Sequence, residues 1–190
     1  MHIYGWVETH IGGARGSWSG ALQIDHLVDR NRKLFDCLYE PEPGSGLIAL
    51  QRVRGFPDDI SAEMRSHVKE YGYDSEPSSA FHIPWSSLAN IKWARVVEWP
   101  RLDIELWWQR APGEYELKSN RHDPAKLSRE ELTTLLETRG SYDKAQYRYV
   151  VREGREQVTV SRRWRCLFTA MGLWAKRLGP DCVRLVGFFE

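Results

Sequence analysis

Several signatures that would assign a function at once are missing from this sequence. Its longest apolar runs fall well short of the roughly 20 residues that cross a bilayer. Residues 1–6, Met-His-Ile-Tyr-Gly-Trp, have neither the basic n-region nor the apolar h-region of a signal peptide. The six histidines form no HxxxH or HxH pair, and there is no CxxC pair, Walker loop or GxSxG elbow. We therefore expect a cytoplasmic protein with no membrane partner, no metal site and no cofactor.

Cysteine is scarce. The three cysteines, Cys37, Cys166 and Cys182, are an odd number at long, irregular spacing. This pattern suits neither a disulfide framework nor a zinc site. Because free cysteine commonly packs as a small hydrophobe, we expect three buried thiols.

The composition is that of an ordinary globular protein. Hydrophobic residues make up 42% of the 190 residues and charged residues 28%, values near the globular averages. A chain of this length buries roughly 70% of its unfolded surface, which is enough for a core without disulfides. We predict a single domain over 1–190, with an exposed, polar linker at 118–126.

Charge is unevenly distributed, although the net charge is only +1. Residues 147–190 contain nine Lys or Arg and four Asp or Glu, whereas residues 1–146 carry a net charge of −4. The excess of arginine near the C-terminal end has two interpretations: an anion-binding face or a solvated helix surface.

Hydrophobic periodicity predicts an α+β fold with a mixed or antiparallel sheet packed by several short helices. Alternating or β-branched segments predict an opening strand at 3–11, strands at 102–107 and 115–117, a hairpin of 147–151 with 157–160, and a buried final strand at 183–189. The glycine-rich segment 12–20 is predicted to be a loop. Helical spacing and caps predict helices that start at Asp29, Ser61, Pro84 and Ser128, and a strong amphipathic helix from Trp164 to Leu178.

Two stretches carry a resemblance to a known family. The first contains Leu34-Phe35, then Arg54-Gly-Phe-Pro-Asp-Asp-Ile-Ser61, Tyr71-Gly-Tyr-Asp74, and Ser78-Ser79 with His82. The second is Leu178-Gly-Pro-Asp-Cys-Val-Arg184, followed by Phe188-Phe189. Together they resemble a family of small proteins encoded by phages and prophages. The resemblance implies a phage or mobile-element setting, hence the cytoplasm of a host cell, and it transfers no activity residue by residue.

Two groups of residues suggest an anion site. In the glycine-rich loop, Arg15 can neutralise a phosphate while Trp18 stacks on a base. Arg162, Arg163 and Arg165, at the start of the last helix, form the second group, because the planar guanidinium donates two parallel hydrogen bonds to phosphate. The alternatives are a glycine-rich hairpin loop without a ligand and a solvated helix face.

The adjacent carboxylates Asp58 and Asp59 also allow two interpretations. Paired carboxylates can bind a metal or divide into acid and base roles. Adjacent residues usually point apart, however, and these two lie between Pro57 and the predicted Ser61 cap. We expect them to form a turn and to interact favourably with a helix start.

Three functional hypotheses follow. The first is a non-enzymatic phage accessory protein that binds and sequesters a small phosphorylated ligand, such as a cyclic nucleotide that signals in host anti-phage defence. The second is an inhibitor that binds a host defence protein through exposed aromatic residues and the arginine cluster. The third is a metal-dependent nuclease or phosphodiesterase that uses Asp58, Asp59 and a histidine. A homo-oligomer is compatible with all three.

Overall fold

The fold is given by a computed structural model that describes residues 2–12, 16–39, 46–51, 55–72, 79–119 and 127–189. The chain divides into two compact units. The first comprises Met1–Glu40, Ala49–Val97 and Val158–Glu190, and the second comprises Pro41–Ile48 and Glu98–Gln157. The described strands form two four-stranded sheets. The predicted α+β class with antiparallel pairing is confirmed, and the strands are distributed over two sheets.

The sheet of the first unit is built from the beginning and the end of the chain. Its strands are β1 (Ile3–Ile11), β2 (Ser17–Gln23), β3 (Phe81–Pro84) and β8 (Val183–Phe189), in the order β2-β1-β8-β3. The pairings β1–β2, β1–β8 and β3–β8 are all antiparallel. Six of the seven residues of β8 are buried, so the predicted buried final strand is confirmed as a central strand.

Two glycines allow β1 and β8 to approach closely. Gly5 pairs with Gly187. A Cβ atom on Gly5 would lie 2.2 Å from the Val186 carbonyl oxygen, and one on Gly187 would lie 2.6 Å from the Tyr4 carbonyl oxygen. Because both obstacles are backbone atoms, neither position has room for a side chain.

The α-helices in the described part of the first unit are α1 (Arg32–Leu38), α2 (Ala62–Glu70), α3 (Trp85–Leu88) and α5 (Arg162–Leu178). Ser61 caps α2 as predicted, since its hydroxyl accepts from the Met64 N–H at 3.2 Å. The predicted Asp29 cap of α1 is wrong. Asn31 is the cap, and its side-chain oxygen accepts from the Leu34 N–H at 3.0 Å.

The glycine-rich segment and the Pro84 helix also differ from prediction. Residues from Ser17 onward form strand β2 rather than a loop, because their backbone pairs with that of β1 in an antiparallel register. The helix after Pro84 is one turn long, and residues 81–84 form β3. The alternation of buried Phe81 and Ile83 with half-buried neighbours is the strand signal there.

Helix α5 is the longest helix of the described residues, and its apolar face packs as predicted. Its buried residues are Trp164, Leu167, Phe168, Met171 and Ala175. No helix in the described part of the chain is long and apolar enough to cross a membrane. The prediction of three buried thiols is only partly right: Cys37 is buried, Cys182 is half-buried, and Cys166 is exposed on α5.

The second unit contains the other sheet and one helix. Its elements are β4 (Val96–Ala111), β5 (Glu114–Ser119), α4 (Arg129–Thr138), β6 (Ser141–Lys144) and β7 (Tyr147–Thr159), with the strand order β5-β4-β7-β6. Its core combines apolar residues of β4 and β7 with Leu132 and Leu135 of α4. The predicted capping box of Ser128 and Glu131 is present. The part of the predicted linker after Ser119, residues 120–126, lies outside the described residues.

The predicted hairpin of 147–151 with 157–160 is wrong. Residues 147–159 form the single strand β7, and its hairpin partner is β6, with Ser141 opposite Val150. The charged run 152–156 stays extended because its side chains bond to β4: Glu156 accepts from Arg101 at 2.5 Å, and Arg152 donates to Glu105 at 3.2 Å. The polarity of this segment suggests a turn, but its ion pairs with β4 keep it extended as part of a strand.

Candidate functional site

A cavity of about 270 Å³ in the first unit has a basic lining. Its polar and aromatic walls are His2, Tyr4, His26, Asp29, Arg30 and Arg163, and Ile3 and Val28 add apolar surface. Three separate segments therefore meet here: the start of β1, the turn that follows β2, and the first turn of α5. We call this space the basic cavity.

The turn that follows β2 is held against β1 by its backbone and by Asp25. The Ile24 N–H donates to the Gly5 carbonyl at 2.9 Å, and the Ile24 side chain is fully buried. The Asp25 carboxylate accepts from the Gly5 N–H at 2.9 Å and lies 2.9 Å from Nε2 of buried His67. This anchoring fixes the wall from which His26 and Arg30 reach the basic cavity.

His26 has an unusual backbone conformation. Its φ is +60°, in the left-handed region that few non-glycine residues occupy. Such a conformation costs on the order of 1 kcal/mol and persists only where the surrounding structure imposes it. Here the anchored turn imposes it, and His26 faces the cavity.

Asp29 joins the turn to the start of α5. The Ser161 hydroxyl, which caps α5, donates to the Asp29 carboxylate at 2.5 Å, and the Trp164 indole donates to the Asp29 carbonyl at 2.9 Å. Arg163 lies between Ser161 and Trp164 in the sequence. The position of the Arg163 backbone relative to Arg30 is therefore fixed by direct hydrogen bonds.

The charges of the cavity are only partly balanced. Arg30 donates to the ring of His2. Within the described residues Arg163 has no ion-pair or hydrogen-bond partner. The one carboxylate in the lining, Asp29, is already engaged by Ser161. Two guanidinium groups thus face one carboxylate.

The first turn of α5 adds to this positive field. It contains no acidic residue, while Arg162 and Arg163 both belong to it. A cation near a helix N-terminus lies close to the positive end of the helix dipole. At an exposed site this repulsion costs about 0.3–1 kcal/mol for each cation. An anion bound in the cavity would be attracted both to the guanidinium groups and to the positive end of the helix dipole.

Among the described residues, the predicted anion-binding residues do not line one common site. Arg162 and Arg163 are both exposed on the same turn, and only Arg163 lines the basic cavity. Arg165 is half-buried, and its Nε has no hydrogen-bond partner among the described residues. Trp18 pairs with His10, about 20 Å along β1 from Tyr4 at roughly 3.3 Å per residue. Arg15 lies outside the described residues.

Trp18 belongs instead to an ionic network that connects buried Glu8 and Arg184 with exposed Asp59. Its ring covers the Arg184 guanidinium, with 3.7 Å from Cζ to the ring centroid, and its indole donates to Asp59 at 2.9 Å. Arg184 donates to Glu8 at 2.8 Å and to Asp59 at 2.7 Å. We call these four residues the Arg184 network.

Asp58 and Asp59 lie in a turn before the Ser61 cap, as predicted. Desolvation alone would raise the pKa of Asp59, but the hydrogen bonds from Arg184 and Trp18 and the charge of Arg184 outweigh it and lower that pKa. Asp59 is thus held ionised as a structural partner of Arg184. Among the described residues no group of three or more His, Cys, Asp or Glu side chains is arranged to hold a metal ion.

Sequence reasoning missed His2, His26 and Arg30. Residues 26 and 30 are four positions apart, but no local spacing connects them to residue 2, and the pairing of β1 with β2 brings the two segments together. The signal available in the sequence is the strand pattern of β2. A correct prediction of β2 would place the turn that follows it beside the start of β1.

Compared with known proteins, the chain matches no protein-family model, no curated protein and no solved structure. The basic cavity is therefore interpreted from its own chemistry.

Proposed function

We propose that the protein binds a small phosphorylated molecule in the basic cavity and acts by sequestering it. The observation that carries this proposal is the convergence of Arg30 and Arg163 on one cavity from two segments joined by the Asp29–Ser161 hydrogen bond. Arginine suits phosphate because its planar fork matches two phosphate oxygens and is always charged.

The lining favours binding over turnover. Asp29 accepts from Ser161 and so acts as part of the wall. Asp58 and Asp59, the carboxylates of the nuclease hypothesis, do not line the basic cavity, and Asp59 is bound to Arg184. Arg30 and Arg163 supply charge neutralisation and hydrogen bonding, which support the binding of a phosphate.

The biological setting of the proposal comes from the family resemblance. Phage accessory proteins act inside an infected cell, where a phosphorylated signal of host defence is a natural target for sequestration. The segments that carry the resemblance include Asp59 and Arg184, which bond to each other in the first unit. A cyclic or linear nucleotide is therefore the ligand class with which to begin.

The test is a binding and release experiment. Purified protein is incubated with a panel of cyclic and linear nucleotides, washed and heat-denatured, and the released compounds are analysed by chromatography. We expect one ligand to be recovered intact at stoichiometric amount. Chemically altered nucleotide would instead indicate an enzyme, and absence of any bound compound would favour the protein-binding hypothesis.

Two arginine variants provide a matched comparison. Arg163→Ala and Arg162→Ala remove the same charge from the same helical turn, but only Arg163 lines the cavity. We expect Arg163→Ala to abolish ligand recovery and Arg162→Ala to leave most of it. Equal losses would show that the general field of the helix start, and not the cavity, is responsible.

A further inference from the structure

We propose, on the basis of the proposed function, that His26 binds the anion in the basic cavity and takes up a proton as the anion enters. The cavity then holds its ligand more tightly at mildly acidic pH and releases it more readily as the pH rises. Three features of His26 support this role: its fixed backbone position, the exposure of its ring and the charges around it.

The position of His26 is fixed by backbone hydrogen bonds. The residue lies inside a turn in which the Ile24 carbonyl accepts from the Leu27 N–H at 2.9 Å and from the Val28 N–H at 3.4 Å. This turn holds His26 at a φ of +60° and places it in the lining of the cavity. Only the side-chain torsions remain to be ordered when an anion binds, which lowers the entropic cost of binding.

The ring of His26 is accessible to a ligand. The residue is exposed, and neither ring nitrogen makes a hydrogen bond or ion pair within the described residues. His2, the other histidine of the lining, differs because its ring contacts Arg30. A protonated imidazole donates from both nitrogens. His26 is thus the lining histidine better placed to donate to an anion.

The charges around His26 leave the cavity with a small positive excess. The other titratable or charged residues of the lining are His2, Tyr4, Asp29, Arg30 and Arg163. The two guanidinium groups and the Asp29 carboxylate, which keeps its charge when it accepts from Ser161, sum to +1. Asp25, next to His26 in the sequence, is engaged by His67 and by the backbone of β1. An anion with two negative charges exceeds this sum, and a proton on His26 restores the balance.

Proton uptake follows from this arrangement by thermodynamic linkage. Histidine is the side chain that ordinarily gains its charge between pH 5 and 8. An anion within about 4–6 Å favours the protonated form, and the protonated form strengthens anion binding by the same factor. The affinity for a divalent anion should therefore rise as the pH falls through this range, by about tenfold for one histidine that responds.

The experiment uses sulfate as the anion, because sulfate stays divalent between pH 5 and 8, whereas a phosphomonoester itself titrates near pH 6. Sodium sulfate is titrated into the protein at several pH values in that range, with the ionic strength held constant by sodium chloride. The histidine ring protons are followed by NMR. The parent protein is compared with His26→Gln and His10→Gln. His10 is the matched control, because it lies outside the lining and its ring contacts Trp18.

We expect the parent protein to bind sulfate about tenfold more tightly at the acidic end of this range than at the basic end. Sulfate should also move the titration midpoint of the His26 ring signals upward by about one pH unit. His26→Gln should lose most of the pH dependence, and His10→Gln should keep it. Sulfate binding that is independent of pH, or whose pH dependence survives in His26→Gln, would overturn the inference and leave the proposed function standing. Absence of sulfate binding at every pH would also overturn it, and the proposed function would fail with it if the release experiment recovered no nucleotide.

Discussion

Arg184 lies between the ring of Trp18 and the carboxylate of Glu8. Its guanidinium carbon is 3.7 Å from the ring centroid, and its Nε donates to Glu8 at 2.8 Å. The side chains of Arg184 and Glu8 are 7% and 0% exposed. Glu8 also accepts from the Ser61 N–H at 2.9 Å, so this pair ties β8 and β1 to the start of α2.

The first prediction concerns the loss of this buried charge pair. Arg184→Met should destabilise the first unit by about 3–5 kcal/mol, because it leaves the fully buried Glu8 without its counter-charge. The measurement is the free energy of unfolding in urea. Arg177→Met, an exposed change at the end of α5, is the control and should cost less than about 0.5 kcal/mol.

A double variant separates charge from packing. Glu8→Gln combined with Arg184→Met removes both charges, so it should cost less than the sum of the single changes. A strictly additive result would show that the two side chains do not interact, contrary to their geometry.

The second prediction is the pH dependence of Glu131 in the second unit. Hydrogen bonds from Lys144, the Ser128 N–H and Tyr142 lower the pKa of Glu131 to about 2. Because the folded pKa lies below its ordinary value of 4.5, the stability that Glu131 provides is complete above that value. It should be lost as the pH falls toward about 2.

Two measurements check the Glu131 prediction. The side-chain carboxyl carbon, followed by NMR, should titrate near pH 2. Glu131→Gln should show a smaller loss of stability between pH 5 and 2 than the parent protein. A midpoint of the carboxyl titration near 4.5 would contradict the Ser128–Glu131 capping box and its partners.

The third prediction tests the close approach of β1 and β8. Gly5→Ala should prevent correct pairing of these strands, since the new Cβ would lie 2.2 Å from the Val186 carbonyl oxygen. Gly140→Ala is the matched control, because a Cβ there meets its nearest atom at 3.7 Å, an ordinary contact. Thermal unfolding should show a large loss for the first variant and little change for the second; equal midpoints would refute the prediction.

The fourth prediction concerns thiol reactivity. Cys166 is exposed and Cys37 is buried, so a thiol reagent should modify Cys166 rapidly in the native protein and Cys37 only on unfolding. Mass spectrometry of peptides after brief labelling checks this order. Cys166→Ser should remove the rapid labelling. Rapid labelling that persisted in this variant would have to come from another cysteine.

Sequence patterns predicted those elements whose signals are local. The caps at Ser61 and Ser128 and the apolar face of α5 depend on residues three or four positions apart, and all three are confirmed. Strand β7 was misread because the charged run 152–156 is supported by side chains of β4, more than 40 positions away. The interactions that decide such segments do not appear in any short window of sequence.

The candidate site also contains some residues with a local sequence signal and others that only distant contacts bring together. Arg163 was identified from the local arginine cluster, and the structure places it in the basic cavity. Trp18 was identified by its place in the glycine-rich segment, but its partners Asp59 and Arg184 are 41 and 166 positions away, and they hold it in the Arg184 network. His2 and His26 carried no sequence signal because strand pairing alone brings them together.

The central place of β8 has a consequence for biosynthesis. Glu8 and Arg184 are 176 positions apart, and a ribosome that adds roughly 5–20 residues per second needs about 10–35 s to cover that interval. During this time the backbone N–H and C=O groups of β1 that pair with β8 have no partner there, and the Glu8 carboxylate lacks its guanidinium partner. The first unit is thus open to chaperones and proteases until β8 emerges. We therefore expect its cellular yield to depend strongly on translation speed. A protein whose neighbouring strands are consecutive in sequence should show a weaker dependence.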